Sequence, residues 1–117
     1  MSGDGNTAGV DAYLKDGASR GFNGHQASVG EANSGVAYAL KRTGGGGTWS
    51  QRAYLKSPNA DADADADACD GLGTGISLSR DGSTLAVAAE LEDSGAAGLQ
   101  GNQADSGTFN AGAVCLY

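Results

Sequence analysis

The sequence predicts an all-β chain built from a duplicated unit, and three observations predict it. First, Ser2-Gly3-Asp4-Gly5-Asn6-Thr7 returns 77 residues later as Ser79-Arg80-Asp81-Gly82-Ser83-Thr84. The register then holds without a gap through Val10/Val87, Leu14/Leu91, Asp16/Asp93, Gly21/Gly98, Gln26/Gln103, Asn33/Asn110 and Gly35/Gly112. Repetition at a fixed period marks stacked units that cannot bury their apolar faces alone. Second, Ile76, Leu78, Leu85, Val87 and Ala89 alternate with smaller or polar residues, the period of a half-buried strand. Third, an Asp-Gly pair separates the two alternating runs, and Asp-Gly favours the positive φ angles of a tight hairpin turn.

Taken in order, residues 8–14 form a weak strand, with Asp11 standing where the second copy has Ala88. The Gly-, Ser- and Asn-rich stretch 17–34 is a loop. Residues 36–42 form a strand with Tyr38 and Leu40 on one face and Ala37 and Ala39 on the other. A glycine turn at 43–47 leads to a strand at 48–56, which carries Trp49, Gln51, Ala53 and Leu55 on one side. Ser57-Pro58-Asn59 stops that strand. Asp-Ala then recurs from Asp61 through Asp67 to Ala68. In an extended chain this alternation sets successive carboxylates ~6.6 Å apart on one face, where they repel more than they chelate. A solvated, mobile insert is expected there. Residues 75–90 form a β-hairpin, 92–111 a long loop and 112–117 a third strand. The organisation is a first unit at 1–56, an acidic linker at 57–71 and a second unit at 72–117.

Composition bounds what such a chain can do. Its apolar residues are mainly Ala, Val and Leu, and at ~25 cal/mol per Å² a core of small side chains makes a marginal domain. The formal net charge of −7 argues against nucleic acid, whose phosphates need a basic patch. It suits a cation-binding surface and plain solubility equally well. Cys69 and Cys115 lie outside any CxxC or Cys/His cluster, which argues against zinc; a disulfide and two thiols both stay open. Residues 1–4 show neither the basic nor the apolar region of a secretory leader. No window approaches the ~20 apolar residues of a membrane span.

Four stretches carry a family resemblance. They are Tyr54-Leu55-Lys56-Ser57-Pro58-Asn59, Asp67-Ala68-Cys69-Asp70-Gly71-Leu72-Gly73, Ile76-Ser77-Leu78-Ser79-Arg80-Asp81-Gly82-Ser83-Thr84-Leu85-Ala86-Val87 and Gly112-Ala113-Val114-Cys115-Leu116-Tyr117. Together they resemble the FG-GAP repeat, the blade unit of integrin-alpha-type β-propellers, in the form found in secreted or surface bacterial proteins. The resemblance implies antiparallel four-stranded blades around a central axis. The chain would supply strands two to four of one blade and one to three of the next. It implies a secreted or cell-surface location and a non-enzymatic role, adhesion or ligand binding through loops on the propeller face. The partner would be a protein or carbohydrate ligand, or neighbouring blades. Two blades fall short of the ~4 that close a ring, so self-association through open strand edges is a further expectation. An accessory domain of a secreted hydrolase and a truncated, non-functional product are the alternatives.

The sequence also departs from the family. Leu72-Gly73 replaces Phe-Gly, and Ala88-Ala89-Glu90 falls where the family has Gly-Ala, often followed by Pro. The family's calcium loop, Asp-x-Asp/Asn-x-Asp-Gly-x-x-Asp, is not matched: Asp63, Asp65 and Asp67 have the spacing, but Ala68 stands where glycine makes the sharp turn. Calcium nonetheless remains the candidate cofactor. Asp93, Asn102 and Asp105 offer hard oxygen ligands in one loop, with Asp16 and Gln26 as first-copy counterparts. Asp67 and Asp70 at the junction form a second candidate set. The competing readings are solvated loop carboxylates and a turn held by Asx hydrogen bonds.

Nothing reads as a catalytic constellation. Asp4 and Asp81 are accounted for by their turns. His25 has no nucleophile beside it in the pattern, and Cys69 has no activating partner. The run from Gly44 to Gly47 lacks the Lys-Ser/Thr of a phosphate loop. Trp49, on a strand, is expected to pack in the core rather than stack on a ligand.

Overall fold

A computed structural model describes residues 1–30, 32–44, 46–58, 71–102, 105 and 107–117. The Asp-Ala stretch, Cys69, Asp67 and Asp70 lie outside the described residues. Six strands form two antiparallel sheets, as the alternation predicts: β1 (Thr7–Asp11), β2 (Ala37–Arg42), β3 (Trp49–Leu55), β4 (Leu72–Leu78), β5 (Leu85–Ala89) and β6 (Ala113–Leu116). The sheets are ordered β1-β2-β3 and β4-β5-β6. The resemblance implies four strands per blade; among the described residues each sheet has three.

The 77-residue repeat is reproduced in the pairing. Gly9 faces Ala39, Val10 faces Tyr38 and Asp11 faces Ala37. Their counterparts make the same pairs, Ala86 with Leu116, Val87 with Cys115 and Ala88 with Val114. The pairing repeats although the copies turn opposite faces to the shared core, Ala37 in the first and Val87, the counterpart of the exposed Val10, in the second. β3 extends the first copy on its C-terminal side, and β4 extends the second on its N-terminal side.

The hairpin turns repeat as well, and they are wider than a two-residue Asp-Gly turn. In the second copy the Gly82 amide donates to the Ser79 carbonyl (2.9 Å) and the Ser79 amide to the Thr84 carbonyl (2.9 Å). Only the glycine takes a positive φ, +73° at Gly82 and +69° at Gly5. The aspartate works through its side chain. Asp81 Oδ1 accepts from Ser79 Oγ (2.7 Å) and from the Ser83 amide (3.1 Å). Asp4 Oδ1 accepts from Ser2 Oγ (2.6 Å) and from the Asn6 amide (3.0 Å). These bonds favour the ionised form, so the Ser2 hydroxyl first and the Asn6 groups second bring the Asp4 carboxyl from 3.8 down to about 2. Asp81 is lowered for the same reason, with Ser79 the largest cause. A folded-state pKa below the unfolded one means that the Asp4 turn's contribution is complete above about pH 4 and is lost as pH falls through about 2. An NMR titration of the side-chain carboxyls should place the Asp4 midpoint near 2, and Ser2→Ala should move it upward.

The two sheets share one core. Ala37, Ala53 and Leu55 of the first meet Leu72, Leu85, Val87 and Ala89 of the second, with Ile76, Leu78, Cys115 and Tyr117 packed against them. The alanine face of β2 is therefore the inward one. Small residues let the sheets approach: a Cβ on Gly9 would lie 2.7 Å from Leu85 Cδ1 and 2.9 Å from Ile76 Cδ1. Gly35 forms a parallel bridge with Leu72 and joins the loop before β2 to the start of β4.

On the opposite face of the first sheet, Tyr38 and Tyr54 meet edge to face at 5.6 Å. Tyr54 is fully buried, and among the described residues its hydroxyl has no hydrogen-bond partner. Burial, and secondarily Tyr38, raises its pKa. An unsatisfied buried hydroxyl costs ~1–3 kcal/mol. Tyr54→Phe should accordingly raise stability by about 1 kcal/mol, read as a higher urea midpoint with an unchanged slope.

The expectation for Trp49 is corrected. A bulge between Ala39 and Leu40 shifts the β2–β3 register and breaks the simple alternation that set Trp49 beside Ala53 and Leu55. Trp49 ends 37 % exposed, with the Arg42 guanidinium 5.5 Å over its ring. A cation over the indole face holds the strand end in place of core packing.

Candidate functional site

The two long loops are the surfaces that the sequence singles out, and the structure shows what their aspartates do. Asp93 Oδ1 accepts a hydrogen bond from the Asn110 amide (2.7 Å), which closes the neck of the second loop. Asp16 Oδ1 accepts from the Asn33 amide (2.9 Å) in the first. Both asparagines are left-handed, with φ of +51° at Asn110 and +56° at Asn33, a conformation that asparagine tolerates better than most residues. Just beyond, the Gly112 and Gly35 amides donate to the carbonyls of Glu92 (2.8 Å) and Lys15 (3.1 Å). The same latch is thus built twice.

Inside the second loop, the Asn102 carbonyl accepts from Ser94 Oγ (3.0 Å) and from the Asp105 amide (3.2 Å). Asp105 Oδ1 accepts from the Gly107 amide (3.1 Å). The Thr108 amide donates to the Asp93 carbonyl (2.9 Å), and Asp105 Oδ2 lies 3.2 Å from where a Cβ on Gly95 would stand. Asp93 and Asp105 therefore belong to one folded loop, while Asp16 belongs to its copy. In the first loop the His25 carbonyl takes the equivalent bond from the Ser28 amide (3.0 Å), and His25 and Gln26 are exposed. Among the described residues no group of three or more His, Cys, Asp or Glu side chains is close enough to hold a metal ion. Asp67 and Asp70 lie outside the described residues.

A second feature carries no mark in the sequence pattern. An open groove of about 970 Å³ runs along β6, between that strand and the loop segment around Leu99. Val114 and Leu116 of β6 are 64 % and 63 % exposed, and Leu99 is 93 % exposed. Glu90 and Glu92 are the charged residues of its lining.

The end of β3 forms a buried polar junction. Lys56 is fully buried, and its Nζ donates to Ser34 Oγ. Tyr117 Oη donates to the Lys56 carbonyl (2.9 Å) and ties the end of the second sheet to the first. Burial, then Cys115, pushes the Tyr117 phenol well above its ordinary range. Lysine in Tyr54-Leu55-Lys56-Ser57 carries no sequence signal of burial, because its partners Gly21, Ser34 and Tyr117 lie far away in the chain.

No protein-family model, curated protein or solved structure matches the chain. Among the described residues no helix is long and apolar enough to cross a membrane.

Proposed function

We propose that the chain is a repeat module of FG-GAP β-propeller type that binds a protein or carbohydrate ligand outside the cell or at its surface through its long loops, without catalysis and with calcium as a stabilising ion. One observation carries this reading. The repeat recurs as the same strand register and the same aspartate latch, so two equivalent loops are presented on a paired sheet scaffold. Loops positioned by a rigid scaffold are where binding surfaces concentrate. The order and spacing of the repeat residues support the blade assignment. The oxygen-rich second loop supports the choice of a hard cation.

Calcium is tested first. A ligand bound only by the folded state stabilises it by about 2.7 kcal/mol at a hundredfold excess over Kd. A thermal melt followed by circular dichroism should therefore rise by upwards of about 10 °C in calcium relative to chelator. Asp105→Ala should abolish the rise. An unchanged midpoint would remove calcium from the proposal. Ligand binding is tested on immobilised glycans and cell-surface proteins, against a variant with residues 94–109 replaced by a short Gly-Ser linker. Equal binding by both forms would remove the second loop from it.

A further inference from the structure

Asn23-Gly24 is the one Asn-Gly pair in the chain, and the fold fixes both of its residues. Position 24 takes glycine because a Cβ there would stand 2.6 Å from Ser19 Cβ. Asn23 is left-handed, with φ of +54°, and it grips the outer edge of β3 twice. Its amide donates to the Tyr54 carbonyl (2.6 Å), and its Oδ1 accepts from the Tyr54 amide (2.9 Å). Beside it the Lys56 amide donates to the Gly21 carbonyl (2.9 Å) and the Gly21 amide to the Ser57 carbonyl (3.3 Å). Residues 21–23 thus clamp the first loop onto β3.

The clamp leaves the atoms of one particular reaction ready. In an Asn-Gly pair the glycine nitrogen can attack the asparagine Cγ, because glycine carries no side chain to hinder the approach. Asn23 is exposed, and among the described residues nothing bonds to its Nδ2 or to the Gly24 amide. The nucleophile is therefore not held in a hydrogen bond, and the leaving group has access to solvent. The Tyr54 amide sits on Oδ1, the atom that gathers negative charge as Cγ becomes tetrahedral. A fixed main-chain donor at that oxygen lowers the barrier. The second copy keeps the backbone and loses the chemistry. Gln100-Gly101 occupies the equivalent place, with φ of +57° at Gln100 and a Cβ on Gly101 only 2.7 Å from Ala96 Cβ. Glutamine would have to close a larger ring, which forms more slowly. Asp4 and Asp81 also precede glycines, but their carboxylates accept from the Ser2 and Ser79 hydroxyls, and an ionised carboxylate is a poor electrophile.

We infer that Asn23 is a self-modification site: in the folded chain it deamidates through a succinimide, and the isoaspartate product opens the clamp on β3. The Gly24 nitrogen bonds to Cγ and gives up its proton. The Cγ–Nδ2 bond breaks, and ammonia leaves carrying that proton. Water then opens the ring. Attack at Cγ gives aspartate; attack at the main-chain carbonyl gives isoaspartate, in which the chain runs through Cγ. Aspartate keeps the main chain and an oxygen for the Tyr54 amide. Isoaspartate adds a methylene to the main chain, so the spacing that lets the amide and Oδ1 both reach Tyr54 is lost. The inference rests on the geometry of the clamp and not on the loops' ligand or on calcium.

The test is to hold the intact chain and a synthetic peptide of residues 19–28 in the same mildly alkaline buffer and follow both by mass spectrometry, with isoaspartate located by fragmentation. Asn23 should convert in the folded chain at the peptide's rate or faster, while Gln100 stays intact. Hydrogen exchange at the Tyr54 amide should be about tenfold faster in the isoaspartate form, the effect of losing one hydrogen bond. Freshly prepared Asn23→Asp should exchange like the unmodified chain, which separates the added charge from the altered backbone. Asn23→Gln, which copies the second unit, should give no product. A folded-chain rate about tenfold or more below the peptide's would mean that the clamp protects Asn23, and would overturn the proposal. Unchanged exchange at Tyr54 in the isoaspartate form would overturn it as well.

Discussion

Gly35→Ala is expected to abolish cooperative folding, whereas Gly112→Ala, at the equivalent position of the other copy, should cost only about 1–2 kcal/mol. Both glycines are left-handed, with φ of +72° and +75°. A side chain in that region costs about 1–2 kcal/mol at either site. What separates them is space. A Cβ on Gly35 would stand 2.0 Å from the Leu72 carbonyl oxygen and 2.7 Å from its nitrogen, both main-chain atoms of the bridge that joins the sheets. At Gly112 the nearest atom is the Glu90 carbonyl oxygen at 3.7 Å, an ordinary contact. Main chain cannot turn aside as a flexible side chain can. The Gly35 variant must therefore part β4 from the loop before β2, and with them the shared core. Urea denaturation followed by circular dichroism reads both variants. Equal losses would show that the close approach of the sheets contributes nothing.

Leu72→Ala is expected to lose about 2–5 kcal/mol, a large share of the ~5–15 kcal/mol that a domain of this kind possesses. Leu72 is fully buried, pairs with Ala89 and packs in the cluster that both sheets contribute to. The loss combines the transfer free energy of the removed atoms with the cost of the cavity left among its neighbours. Leu99→Ala is the matched control. That residue is 93 % exposed, and its change should stay within about 0.5 kcal/mol. The difference in urea midpoint between the two variants is the quantity to compare.

Legibility in the sequence follows from how local each cause is. The strands around Val87, Tyr38 and Val114 could be read because alternation and turn chemistry act within a few residues. The hairpin at Asp81-Gly82 was legible for the same reason, although its width depended on the Ser79 hydroxyl and the Asp81 carboxylate bonding back to the chain. The bulge at Ala39/Leu40 was not legible. It moved Trp49 out of the expected core, where Arg42 now covers it. The loop aspartates were legible as residues of interest and not as latches, because the Asp16–Asn33 and Asp93–Asn110 bonds each close across 17 residues.

The sequence by itself determined the duplicated β architecture and the common register of its copies, because equal spacing of apolar residues and glycines imposes equal local geometry. Only the tertiary structure decided which faces meet, that Gly35 and Leu72 join the two sheets and that Lys56 is buried. Those outcomes depend on contacts between residues far apart in the chain, and such contacts are set by the shape and volume of the assembled sheets rather than by any local pattern.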